Sequence, residues 1–168
     1  MNERHFVEKI QEAVRAEPSM KGAVIFKHAE TLTAGIPDIS VTLGGTSWLE
    51  VKYQRAGEKL IDICRELQIV TCHQLAQVNG GRAWVAVYED LPRAISRGPK
   101  RGLLTIWKPS FLHAWLYRPN QKLEAPVLMP SAIASPLQWV AARGAVYVEG
   151  HQHQLIARLL REAAEGAY

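Results

Sequence analysis

Apolar residues return every three or four positions between residues 3 and 16. Phe6, Ile10, Ala13 and Val14 make one stripe, with Glu8, Lys9, Glu12 and Arg15 on the other faces. That spacing predicts an amphipathic helix, which Pro18 closes. The period then changes to two. Ala23 to Phe26 reads as a first strand, Ile39 to Leu43 alternates as a second, and Trp48 to Tyr53 returns as a third after the Gly44-Gly45 turn. A helical stretch from Leu60 to Val78, broken near Leu67, stops at Asn79-Gly80-Gly81. Ala83 to Tyr88 is apolar throughout, as a strand buried on both faces would be. Leu103 to Trp107 predicts another strand, and Ser110 a cap for a short helix through Tyr117. Residues 118 to 139, rich in Pro, Ala and Ser, read as loop; Ala145 to Val148 reads as a short strand and Gln152 to Ala164 as a helix. Helix, three strands, helix, strand is the order of an α/β domain, with a mixed central sheet flanked by helices.

The length, 168 residues, suits one domain spanning 1–168 with a core of its own, and the hydrophobic fraction of 48% is that of a folded protein. No run approaches the roughly 18 apolar residues of a membrane span, so no membrane partner is expected. Charges run through MNERHFVEKIQEAV, where a signal peptide would be apolar, and a cytoplasmic location is the expectation. Cys64 and Cys72, the only cysteines, lack CxxC partners and read as small core side chains. His151 and His153 beside a glycine read as exposed polar sequence.

The formal charge of +4 is mild, but its distribution adds something. From Arg93 to Lys108 there are five basic residues, Arg93, Arg97, Lys100, Arg101 and Lys108, and no acid. With Gly98, Pro99 and Gly102 among them, much of this run is a loop that could follow a phosphate backbone or stand solvated. Arg55 and Lys59, in the segment after the third strand, carry the same two readings.

Glu50 and Lys52 are two apart on a strand and therefore leave the same face of the sheet. Charges flanked by Trp48, Leu49 and Val51 need a partner or a metal. Asp38 begins the preceding strand, and the Gly44-Gly45 turn folds that strand back so that, in one register, Asp38 lies beside Glu50. Two carboxylates meeting at a sheet end repel unless a cation lies between them, and Mg²⁺ suits oxygen ligands. Asp38, Glu50 and the Val51 carbonyl would hold it, while Lys52 would orient a metal-activated water or stabilise the charge developing at phosphorus. Spacing alone equally allows an exposed carboxylate and a strand-borne Glu/Lys ion pair.

Gly35-Ile36-Pro37-Asp38, eleven residues, then Glu50-Val51-Lys52 resembles the signature of the PD-(D/E)XK nuclease superfamily, and within it the virus-type replication-repair nucleases (VRR-NUC) and Holliday junction resolvases. Glu8 on the first helix, Gln68 on the helix after Lys52, and the Gly pair followed by the strand Arg82 to Tyr88 extend the likeness over residues 5 to 90; residues 91–168 form an extension it does not cover. The resemblance implies a restriction-endonuclease-like fold and a Mg²⁺-dependent DNA endonuclease, with Mn²⁺ able to substitute and no organic cofactor. It implies Asp38 and Glu50 as metal ligands, Lys52 as the catalytic lysine, and Glu8 and Gln68 as supporting residues. Glu12 competes with Glu8, and Gln74 with Gln68. If DNA junctions are the substrate, it also implies a homodimer. Exonuclease or restriction-type cutting, and a DNA-binding or assembly module that does not cut, remain the alternatives on that fold.

Overall fold

The stripe at the start of the chain becomes α1 (Glu3–Ala16), whose buried residues are Phe6, Val7, Ile10 and Val14. Asn2 caps it, its side chain accepting the His5 N–H at 3.0 Å. The structure is a computed structural model that describes residues 2–28, 35–78, 80, 82–90, 102–130, 135–150 and 152–166. Arg97, Lys100 and Arg101 of the basic run lie outside the described residues, as do Asn79, Gly81 and His151.

After α1 come β1 (Val24–Lys27), β2 (Ile39–Thr42), β3 (Thr46–Gln54), α2 (Leu60–Ile63), α3 (Glu66–Val78) and β4 (Ala83–Asp90). The remainder supplies β5 (Gly102–Trp107), α4 (Pro109–Tyr117), β6 (Val127–Leu128), α5 (Pro136–Arg143), β7 (Ala145–Glu149) and α6 (His153–Ala164). The strands form one sheet in the order β1-β2-β3-β4-β5-β7-β6. β1, β2 and β3 are an antiparallel meander, β3 and β4 run parallel, and the β4–β5–β7 pairs are antiparallel again. A parallel pair cannot be joined by a tight turn, and α2 with α3 makes the crossover. The expected α/β class, a mixed central sheet flanked by helices, is the one observed.

Strand alternation sorts the core into two layers. Leu49 and Val51 of β3, with Trp84, Ala86 and Tyr88 of β4, face α1 and α6. There the Phe6 ring stacks on Tyr88 at 3.7 Å between centroids. Val85 and Val87 face the other way, packing with Cys64, Ile69, Cys72 and Leu112 from α3, α4 and the bend before α3. Both cysteines are therefore buried and unpaired core residues.

Three local expectations change. The break in the 60–78 helix falls at Cys64–Arg65 rather than Leu67, and the Cys64 carbonyl left over there accepts the Tyr117 hydroxyl at 3.0 Å. The short helix begins with Pro109 at its first position, after Lys108 rather than at a Ser110 cap. Inside 118–139, read as loop, lie β6 and the start of α5, which Ser135 caps by accepting the Gln138 N–H at 3.2 Å.

Candidate active site

β2 starts at Ile39, opposite Leu49 of β3. One step beyond the last pair, Asp38 faces Glu50. On the other side of β2, Lys27 pairs with Ile39, and one step on the His28 N–H donates to the Asp38 carbonyl at 2.8 Å. Glu50 in turn pairs with Val85 of β4. His28, Asp38, Glu50 and Val85 thus form one cross-strand row on one face, with Lys52 two residues further along β3.

The residue before Asp38 explains why β2 ends there. Pro37 would stand opposite Val51, and proline has no N–H to give a ladder. The Val51 N–H is taken instead by the Asp38 carboxylate, Oδ2 accepting at 2.7 Å. Both backbone polar groups of one strand residue point to the same side, so the Val51 carbonyl also faces the Asp38 side, where no strand runs among the described residues. Gly35 brings the chain in: at φ +96° it is in the left-handed region, and a Cβ there would lie 2.9 Å from Thr71 Oγ1 and 3.3 Å from Leu67 Cγ of α3.

The charged groups are enclosed. Glu50 is 1% exposed, Lys52 5% and Asp38 8%. Lys52 Nζ lies 2.6 Å from Glu50 Oε1 in a buried ion pair, and Glu50 Oε2 is buried with no hydrogen-bond partner among the described residues. Burial, then the Asp38 charge, push the Glu50 carboxyl up to about 7 against the opposing pull of Lys52. Burial draws the Lys52 ammonium down, but Glu50, then Glu3 and Asp38, outweigh it and leave Lys52 above the ordinary lysine value. The neighbouring carboxylates therefore favour the ammonium form of Lys52.

Gln68 is buried on α3, one turn before the buried Cys72, and Gln74 is exposed. Cys72 feels the charges of Glu50, Asp38 and Lys52, which places that face of α3 over the acids. Glu8 is half exposed and pairs with Arg4 at 3.1 Å, while Glu12 pairs with Lys9 at 2.7 Å. The acid of α1 that approaches the site is Glu3, 3.9 Å from Lys52 Nζ. The sequence held a signal for it: Glu3, Val7, Ile10 and Val14 fall on one helical stripe, so Glu3 is a charge at the head of an apolar face. Arg55 and Lys59 are exposed in the segment leaving β3, and Tyr53 packs against Phe6.

This donor set fits a hard divalent cation. Asp38 and Glu50 bring two carboxylates together in a buried place, and Glu50 Oε2 has no hydrogen-bond donor among the described residues. No group of three or more His, Cys, Asp or Glu gathers for a metal among the described residues. The chain would offer two carboxylates and the Val51 carbonyl and leave the other positions to water and substrate, as Mg²⁺ prefers. No helix among the described residues is long and apolar enough to cross a membrane. No family model, curated protein or solved structure matches the chain.

Proposed function

We propose that this chain is a Mg²⁺-dependent nuclease that hydrolyses phosphodiester bonds in DNA, with Asp38, Glu50 and the Val51 carbonyl as its metal-binding donors and Lys52 as its catalytic cation. The observation that carries the reading is the cross-strand placement of Asp38 and Glu50, buried side by side with Lys52. The order of motifs, from the Gly-Ile-Pro-Asp loop to Glu50-Val51-Lys52 and the buried Gln68, supports the resemblance to PD-(D/E)XK nucleases.

A divalent ion held by Asp38, Glu50 and the Val51 carbonyl would supply a water of lowered pKa and a Lewis acid for a phosphoryl oxygen. The chain's own residues do the rest. Asp38, braced on the Val51 N–H, has a fixed orientation before any ligand arrives. Glu50 is the acid whose proton must leave for the donor set to be complete. Lys52, fixed as an ammonium, stands where negative charge develops on the phosphoryl oxygens, and burial makes its field stronger than it would be in water. Gln68 closes the face from α3.

The test is incubation with linear, nicked and four-way-junction DNA in Mg²⁺ or in EDTA. Cleavage that needs Mg²⁺ and disappears in Asp38→Asn and Lys52→Ala is expected; cutting of none of these DNAs, or cutting indifferent to EDTA, overturns the reading. Paired symmetric nicks on a labelled junction would identify resolution; single or progressive cuts would identify the exonuclease or restriction-type alternatives.

A further inference from the structure

Beside the acids, the same face of the sheet continues towards β1. α3 packs on β3 and β4, whereas on β1 Val24 is 49% and Phe26 59% exposed. The register sets Phe26 opposite Ser40 and Ser40 opposite Trp48. These three side chains therefore stand on the face that carries Asp38 and Glu50, one alternate strand position (about 7 Å) away. His28, in the row of the acids, has its ring held twice: Nε2 is 2.8 Å from Ser40 Oγ, and the ring stacks on Trp48 with centroids 5.5 Å apart and planes 29° from parallel. The Trp48 indole N–H is buried without a hydrogen-bond partner among the described residues.

Aromatic rings interleaved with a hydroxyl and an imidazole call for a ligand with a flat π-face and a polar edge. A nucleobase has both, and an apolar protein surface only the first. The patch is also continuous with the place where a phosphate would sit, and a nucleotide's base lies a short step from its phosphate. We infer that Phe26, His28 and Trp48 form a stacking platform for an unpaired nucleobase next to the scissile phosphate. The inference rests on the nuclease reading and deepens it: the substrate is DNA with a single-stranded or splayed nucleotide at the cut. A base inside a duplex has both faces taken by its stacked neighbours and cannot lie on Phe26.

The test compares a labelled oligothymidylate with an all-abasic strand of equal length, by fluorescence anisotropy in Ca²⁺, for the full chain and for Phe26→Ala and His28→Ala. The intact chain should prefer the base-bearing strand by about tenfold or more for each stacked base. Phe26→Ala should lose most of that preference while keeping its affinity for the abasic backbone. Because Phe26 is exposed, the variant should fold, and its melting temperature checks that. Equal affinity of the intact chain for both strands overturns the platform, as does an unchanged preference in Phe26→Ala. A Phe26→Ala variant that instead shifts from dimer to monomer in sedimentation, with its base preference intact, assigns this strand to contact between copies and also overturns it. Mg²⁺-dependent cleavage by the same proteins separates the two readings. Base preference without cutting leaves the platform and removes the nuclease; cutting without base preference does the reverse.

Discussion

The Asp38 carboxylate accepts the backbone N–H of Val51, so one acid of the site is braced on the strand that carries the other. Asp38→Ala leaves that buried N–H without a partner, and a loss of about 1–3 kcal/mol in urea unfolding is expected. Asp38→Asn can keep an oxygen on the N–H. It should unfold close to the wild-type midpoint while losing cleavage, which separates bracing from chemistry.

Glu50 gives the protein a pH dependence of stability whose sign is fixed. Its carboxyl is raised from an ordinary 4.5 to about 7, so the folded state holds the proton more tightly than the unfolded chain. The stability this contributes is fully present below about 4.5 and is lost as pH rises through about 7. Without divalent metal, the melting temperature should therefore carry a component that falls between pH 5 and 8, and Glu50→Gln should remove it. Mg²⁺ competes with that proton, so its stabilising effect should be larger at pH 8 than at pH 5.5. Equal Mg²⁺ shifts at the two pH values would count against Glu50 as a ligand.

Lys52→Met removes the cation that pairs with Glu50 in this enclosure. At pH 8 two ionised carboxylates would face each other, and the expected cost is about 3 kcal/mol or more. At pH 5.5 Glu50 can take a proton and the cost should shrink. Urea midpoints at the two pH values measure this; a loss independent of pH would mean that Lys52 does not offset the acids.

Glu3 and Glu8 make different predictions. Glu3 is about one-third exposed and 3.9 Å from Lys52, so Glu3→Gln should cost well under about 1 kcal/mol of stability. It removes a charge that holds Lys52 as an ammonium, and the alkaline limb of any cleavage profile should move to lower pH. Glu8→Gln breaks only the exposed pair with Arg4 and should leave that limb in place. A profile that moves with Glu8 and not with Glu3 would restore Glu8 as the supporting acid.

Gly35→Ala should be costly for two independent reasons. The backbone is in the left-handed region, and the new Cβ would press on Thr71 and Leu67. A loss of about 1–3 kcal/mol is expected from the backbone alone. Because the same loop delivers Asp38, cleavage should fall further than the melting temperature accounts for.

The acids and the lysine were legible because each step of the inference was local. Alternation on β3 sets Glu50 and Lys52 on one face, and the Gly44-Gly45 turn fixes which residue of β2 meets Glu50. The role of Pro37 and the approach of Glu3 were not, because both depend on what is missing from, or arrives at, the end of a strand. The helix break moved to Cys64 because a tyrosine more than fifty residues away takes the freed carbonyl. α5 was hidden for a related reason. Its eight residues lack length and periodicity, and Leu137 and Val140 hold it by burial, with β7 and α6 packed against it.

β2 pairs with β3 only as far as Leu49 and leaves the stretch from Glu50 to Gln54 unpaired by β2, and that omission has a mechanical consequence. A hydrogen-bonded sheet is ordinarily a floor between two rooms: what packs above cannot feel what packs below. Here the floor has a gap beside Lys52. α1 belongs to one room and the lysine to the other, yet Glu3 reaches across the gap. A shift of Glu3 at the head of α1 would therefore be felt at the lysine on the far side of the sheet.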